Sequence, residues 1–312
     1  MKSASHSSGV SLLDKLVYFY KLYRIRIRTN KSDSIIPWDD IREYTTIIEK
    51  YCPKGFNKLD EHRTLEIGYG ARPWRLLSLA SLGVDIKGID LDRPTYGFSP
   101  KRLWEALREN GFERFLKSFV RAAIFDRADL NTLKRQLQKI DRELVIEESR
   151  MVIGNARDGN HFEPNQFSFA FSEDVFEHIS SDELPSVLDN IKVWMKPGGI
   201  LVIRPNVWTG ICGGHDPDYY PYDVLTKQAP RDRPWEHLLN PDFAVNTYLN
   251  KLRIKDYVNL FTERFEIMEV KQKHEELGKE YLTPMLLEKL LPNYTEEELL
   301  TNQTRFVLRV NK

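Results

Sequence analysis

A chain of 312 residues, 41% hydrophobic and 29% charged, is long enough for one large decorated domain and has the composition of a soluble globular protein. Its 46 Lys and Arg balance 46 Asp and Glu, which excludes a whole-molecule field for nucleic acid and leaves only local patches. Cys52 and Cys212 fit neither a disulfide framework nor a metal motif, so a reducing, cytoplasmic setting is expected.

Residues 1–60 read as an N-terminal tail and helical extension. The opening Met-Lys-Ser-Ala-Ser-His-Ser-Ser-Gly is too polar to pack, and the apolar stretch after it is broken by Asp14, Lys15 and Lys21, a poor signal peptide. Residues 11–28 mix Leu12, Leu13, Leu16, Val17, Phe19 and Tyr20 with Lys15, Lys21, Arg24, Arg26 and Arg28. That pattern predicts either a helix packed over the domain or one making peripheral contact with a membrane surface. No apolar run reaches the roughly 20 residues of a transmembrane helix.

Residues 61–312 read as one α/β domain. Thr64 to Ile67 is a buried strand, and the glycine loop within Leu65-Glu-Ile-Gly-Tyr-Gly-Ala-Arg-Pro-Trp74 leads into a helix closed by Gly83. Val84 to Ile89 makes a second strand ending at Asp90, completing a β-α-β unit of nucleotide-binding length. Residues 93–150 are an insertion expected to be helical, richer in Lys and Arg than in Asp and Glu, with Trp104, Phe112, Phe115 and Phe119 interleaved.

Met151 to Ile153 and Phe167 to Phe171 are further strands. Asp182 is placed to cap a helix with Leu184, Val187, Leu188, Ile191 and Trp194 on one face, and Lys196-Pro-Gly-Gly199 ends it before a strand at Ile200 to Ile203. Residues 204–250 form a substrate-side insertion crowded with Pro, Gly, His, Asp and aromatics, and Phe265 to Val270 and Arg305 to Val310 supply two more strands. Strands alternating with helices predict a mostly parallel sheet covered on both faces, with ligands bound beyond the carboxyl ends of the strands.

The chemistry of the glycine loop narrows its ligand. A dinucleotide site wants a third glycine where this chain has Pro73; proline suits a first helical turn but weakens a pyrophosphate reading. Glu66, inside the strand, would repel a pyrophosphate and welcome a cation. S-adenosylmethionine, with its sulfonium and α-amino group and no phosphate, fits those electrostatics.

The segments Leu-Glu-Ile-Gly-Tyr-Gly, Gly-Ile-Asp-Leu-Asp, Phe-Ser-Glu-Asp-Val-Phe-Glu-His and Trp-Met-Lys-Pro-Gly-Gly-Ile-Leu-Val-Ile, over residues 60–206, resemble the type-11 branch of class I S-adenosylmethionine-dependent methyltransferases. The resemblance implies a Rossmann-like sheet of seven strands, mostly parallel with the last antiparallel. It also implies roles by position. Glu66 would hold the methionine amino group, Gly68 and Gly70 would let the chain pass under the cofactor, and Asp90 would accept from the ribose hydroxyls. Asn155 and Ala156 would border the adenine, and Ser172, Glu173 and Asp174 would line the other side. Arg72 stands where many relatives have another glycine.

The acceptor is less legible. Asp174-Val-Phe-Glu177-His178 resembles the acid-x-x-Glu-His signature of metal-dependent O-methyltransferases, which also recruit a His from beyond the fifth strand, here His215 or His237. Three readings stand together: a divalent metal held by Asp174, Glu177, His178 and His215; a metal-free site with His178 or His215 as base; and a turn that only shapes the loop. Trp208, Asp216, Tyr219, Arg233 and His237 are the candidate wall for a sugar or polyol. The expected activity is O-methylation of a hydroxyl on a small polar metabolite (a sugar, glycan or natural product). Carboxylate or nitrogen methylation, and a catalytically silent cofactor-binding subunit, are the alternatives. A nucleic-acid acceptor is not expected, because no RNA-binding module or sustained basic stripe is present.

Overall fold

The computed structural model describes residues 20–21, 24, 34–52, 58–94, 126–244, 247–273 and 276–311. Most of the helix expected over 11–28, and Trp104, Phe112, Phe115 and Phe119 of the first insertion, lie outside these described residues.

In chain order the elements that position the site are α1 (Trp38–Tyr51), β1 (Thr64–Ile67), α2 (Trp74–Ser81), β2 (Ile86–Asp90) and α3 (Arg127–Gln138). They are followed by β3 (Met151–Ile153), β4 (Phe167–Glu173), α4 (Leu184–Trp194), β5 (Met195–Arg204), α5 (Ile254–Thr262), β6 (Phe265–Lys273) and β7 (Gln303–Val310). The strands make one seven-stranded sheet in the order β3-β2-β1-β4-β5-β7-β6. Neighbours among β1 to β5 run parallel, and β7 is antiparallel to both β5 and β6.

Period-two alternation divides the side chains between two cores. Phe169 and Phe171 of β4 and Ile200 and Val202 of β5 join Tyr44, Ile47 and Ile48 of α1, Leu76, Leu77 and Leu79 of α2, and Leu133 and Leu137 of α3. Leu65 and Ile67 of β1 with Leu201 and Ile203 of β5 join Val187, Leu188, Ile191 and Trp194 of α4 and Tyr257 and Phe261 of α5 on the other face. Each such fully buried Leu, Ile or Phe contributes about 1.5–3 kcal/mol. The same alternation carries Glu66, Glu173 and Arg204 onto the α1–α2 face.

Two local expectations are corrected. Helix α4 starts at Leu184 with Glu183 before it and no side-chain cap, so Asp182 does not cap it; Pro185 in the first turn sets the backbone instead. Lys196 to Gly199 do not separate α4 from the next strand. Met195 already pairs with Phe167, and Ile200 with Phe169, so these residues are a bulge inside β5, with Gly198 at φ 78°.

A third, smaller core joins stretches far apart in sequence. Ile211, Cys212, Tyr219, Val224, Ala229 and Trp235 of the second insertion pack with Leu277, Tyr281, Leu286, Leu290 and Leu299, which lie between β6 and β7. Buried Asn302 links the two, its side-chain oxygen accepting from Cys212 N–H at 2.8 Å and its amide donating to Leu277 C=O at 3.0 Å.

Candidate active site

The chain leaves β1 through a loop that only glycine accommodates without strain. Gly68 and Gly70 have φ of 84° and 68°. Gly68 N–H donates to Ile89 C=O at 2.8 Å, and a Cβ there would meet Val175 Cγ2 at 2.2 Å, so Val175 rests on this glycine. Gly70 is open on that side, its nearest atom 4.0 Å away. Asp90 closes the loop from the end of β2: Oδ2 accepts from Gly70 N–H at 2.7 Å and Oδ1 from Asp92 N–H at 2.7 Å.

Glu66 sits beneath this loop, 1% exposed. Its Oε1 accepts from Arg75 at 3.3 Å, whereas its buried Oε2 has no hydrogen-bond partner. Burial pushes its carboxyl up to about 7, with Arg75 pulling the other way. An orphaned carboxylate oxygen under an open glycine loop fits the ammonium end of S-adenosylmethionine, and Asp90 fits its ribose.

The support for Glu66 comes from residues that sequence reading missed. Arg75 of α2 bridges Glu66 to Asp40 of α1, which lies 3.1 Å from its other end. Arg204, only 1% exposed, contacts Asp40 at 3.2 Å and Glu173 at 2.8 Å, and pairs with Glu43. Tyr44 donates to Glu173 at 2.6 Å and stacks on Phe171 at 4.7 Å. The only available signal was acids spaced along the polar face of α1, with no marker of the partners they meet.

Arg72 turns away from this network to Asp126, 3.2 Å away and fully buried, and to Asp129 at 3.9 Å. It therefore ties the glycine loop to the segment entering α3 and brings no unopposed charge to the pocket.

The other expected cofactor residues differ in how committed they already are. Asn155 makes an Asx turn, its Oδ1 accepting from Arg157 N–H at 3.0 Å, and Ala156 follows it at the carboxyl end of β3. Ser172 is buried and donates to Ile67 C=O at 2.9 Å, while Glu173 is held by Arg204 and Tyr44, its carboxyl raised by burial to about 7. Asp174 is exposed, adopts a left-handed backbone at φ 56°, and accepts from Asn206 at 2.9 Å and Gln303 at 2.5 Å.

Immediately beyond Val175 the chain turns into a short helix, Phe176–His178, and brings three of the expected acceptor-side groups together. Glu177, His178 and His215 each offer a ligand atom within 4.8 Å of the others. The two imidazoles meet edge to face at 5.0 Å, and His215 Nε2 lies 3.9 Å from Glu177 Oε1. Asp174 stays outside this trio. His178 Nδ1 lies 2.9 Å from Tyr248 C=O; a carbonyl only accepts, so Nδ1 is the donor of this bond. Glu177 is buried, with Oε1 accepting from Asn206 at 2.7 Å and Oε2 unpartnered. Burial, then the charge of Asp174, raises its carboxyl to about 8, and burial lowers His215 to about 4. His215 is held at φ 52°.

The expected substrate wall is more self-contained. His237 is buried, donates from Nε2 to Trp208 C=O at 2.9 Å and is lowered by burial to about 4; it does not join the trio. Tyr219 is buried and accepts from Arg233 N–H at 3.0 Å, and Asp216 caps the short helix Pro217–Tyr219. Trp208 is half-buried beneath Lys251 at 5.1 Å, and exposed Arg233 pairs with Glu236 at 2.9 Å.

Residues 110–203 match the family model for a methyltransferase domain. The match starts after β2, so the glycine loop and Asp90 fall outside it. No curated protein sequence matches the chain. Chains similar in structure include an S-adenosylmethionine-dependent methyltransferase from Methanosarcina mazei, 18% identical over 85% of this chain and 97% of that one, with a TM-score of 0.44. A putative S-adenosylmethionine-dependent methyltransferase from Listeria monocytogenes is 14% identical over 88% and 99%, also at 0.44. Phosphoethanolamine N-methyltransferase 2 from Haemonchus contortus, crystallised with S-adenosyl-L-methionine, is 15% identical over 86% and 53%, at 0.41.

The strand order, with its antiparallel seventh strand, is that of a Rossmann-like methyltransferase sheet, and residues 110–203 match a methyltransferase domain; together they support an S-adenosylmethionine-dependent methyltransferase. No helix among the described residues is long and apolar enough to cross a membrane.

Proposed function

We propose that this enzyme methylates oxygen, at a hydroxyl of a small polar metabolite such as a sugar, a glycan or a natural product. The cofactor supplies an electrophilic methyl group on its sulfonium. A hydroxyl attacks such a carbon well only as its proton leaves, whereas a carboxylate acceptor needs no such help. What supports the reading is the Glu177–His178–His215 trio: it adjoins the glycine loop through Val175, and with Nδ1 donating to Tyr248 a neutral His178 keeps its Nε2 lone pair to take a hydroxyl proton.

The residues divide the work. Glu66 and Asp90 hold the two polar ends of the cofactor, Gly70 leaves it room, and Asn155 and Ala156 border the base. Tyr248 C=O orients the His178 ring, and Asn206 holds Glu177 at its inner edge. Half-buried Trp208 and exposed Arg233 offer apolar and cationic contacts for a polyol. Methyl transfer is largely alignment, so a rigid corner that removes one proton is sufficient equipment.

A screen with methyl-labelled cofactor over sugars, phenols, carboxylic acids, amines and RNA tests this. Base-stable, ether-linked label on a hydroxyl compound is the expected result. Label on carboxylates or nitrogen would overturn the assignment to oxygen, and cofactor binding without transfer to any acceptor would favour a silent subunit.

A further inference from the structure

We propose that Asp40 of helix α1 is a positioning residue for the cofactor: it holds Arg75 so that the guanidinium engages one oxygen of Glu66 and leaves the other to the cofactor's ammonium. This role rests on the reading of Glu66 as the partner of that ammonium. Arg75 spends its side-on fork on Asp40, with Nε at 3.2 Å and Nη2 at 3.1 Å from the same Oδ2. Only Nη1 is left for Glu66, whose Oε1 it reaches at 3.3 Å. A guanidinium released from Asp40 would grip the carboxylate through two parallel N–H bonds, the geometry it favours, and occupy both Glu66 oxygens.

Asp40 is itself pinned. Its Oδ1 lies 3.2 Å from Arg204, a guanidinium only 1% exposed that Glu173 holds at 2.8 Å. Burial pushes the Asp40 carboxyl up, but Arg75, Arg204 and Lys273 outweigh it and bring it below its ordinary value. Glu66 faces Arg75 of α2, Asp40 of α1 and Asp90 of β2, and it is raised instead; Tyr44 and Glu173 face Arg75 as well. Asp40 is thus the more readily ionised of the two acids and the stronger claimant on Arg75, while Glu66 Oε2 stays buried without a partner.

The consequence is selectivity for a cation. An unshared carboxylate oxygen is costly in a buried site, and a primary ammonium satisfies it with a hydrogen bond and a charge together. The residue that leaves this oxygen unshared comes from α1, ahead of β1 and outside residues 110–203 of the family match. The extension before the sheet is thereby a working part of the cofactor site.

The test is calorimetry on full-length wild type, D40N and R75Q at pH 6 and pH 8, with S-adenosylmethionine and with 5′-methylthioadenosine, which lacks the amino-acid arm. D40N frees Arg75 to grip Glu66. At pH 8 it should bind S-adenosylmethionine about 10-fold more weakly, and its gain in affinity from pH 6 to pH 8 should be smaller than that of wild type. R75Q removes the cation beside Glu66 and raises its carboxyl further, so its loss should be greater at pH 6 than at pH 8 and its gain between them larger. Methylthioadenosine should bind both variants within about twofold of wild type. The two shifts are opposite in sign, so either variant, once shown folded by circular dichroism, decides alone. Profiles parallel to wild type, or equal losses for methylthioadenosine, overturn the positioning role. E66A binding S-adenosylmethionine as wild type does would remove Glu66 from the ammonium, and Asp40 with it; weaker binding by E66A beside an unchanged D40N overturns the role of Asp40 alone.

Discussion

The two corners of the proposed site, linked where Val175 rests on Gly68, are built on opposite plans. On the cofactor side, Glu66 is embedded in an ion-pair network of Arg75, Asp40, Arg204 and Glu173, and one oxygen is left over. On the acceptor side, Glu177, His178 and His215 have few partners, with an orphan oxygen among them, on turns rather than in regular strands. On the proposed reading, the first plan fixes a constant ligand. The second leaves polar capacity for chemistry, and a substitution there should separate turnover from cofactor binding.

H178A is the sharpest way to break that comparison. Turnover should fall about 10²–10⁴-fold, the usual worth of a proton-removing group. Cofactor affinity by calorimetry should remain within twofold, and a parallel loss would merge the two corners. E66A should do the reverse. Removing the partner of a charged group costs about 1.5–3 kcal/mol, or roughly 10–100-fold in cofactor Kd.

A smaller effect comes from pH. Glu66 is raised to about 7 and an ammonium favours its ionised form, so cofactor affinity should tighten as pH rises from 6 to 8, and E66Q should flatten that profile. The linked stability has the opposite sign in the empty protein. The folded state holds a proton that an unfolded carboxyl with the ordinary value of 4.5 has released, so this contribution is complete below that value and is lost as pH rises through 7. The gain in Tm on adding cofactor should therefore be larger at pH 8 than at pH 6. The least effect is expected for R72A, which frees one anchor of the loop: a loss of about 1 kcal/mol, or about 1–2 °C in Tm for a chain of this size, measured by calorimetry.

The β1–α2–β2 unit was legible because its determinants are local. An apolar run, two glycines, a proline in position to start a helix and Gly83 to end it lie within 20 residues of each other, and Gly83 indeed sits at φ 97°. Glu177, His178 and His215 were legible as residue types, and their convergence depends on β4 and β5 lying side by side. Arg75, Arg204, Asp40 and Tyr44 were not. Asp40 and Arg204 are 164 residues apart and Tyr44 and Glu173 are 129 apart, so nothing local marks them as partners. Within the candidate substrate wall, a mixture of aromatics, acids and histidines looks the same in sequence whether it faces a ligand or, as with Tyr219 and His237, satisfies its own insertion.

The third core gives the acceptor side an unusual independence. Its apolar residues come from 211–235 and 277–299, and none belongs to a strand of the sheet. His215, Tyr219 and Trp235 thus ride on a unit whose packing can be rewritten without disturbing the contacts under Glu66. Here the natural cassette for exchange is a pair, the segment after β5 together with the segment before β7, clasped by Asn302. Transplanted together, they should carry acceptor choice with them; transplanted singly, either would arrive with half a core.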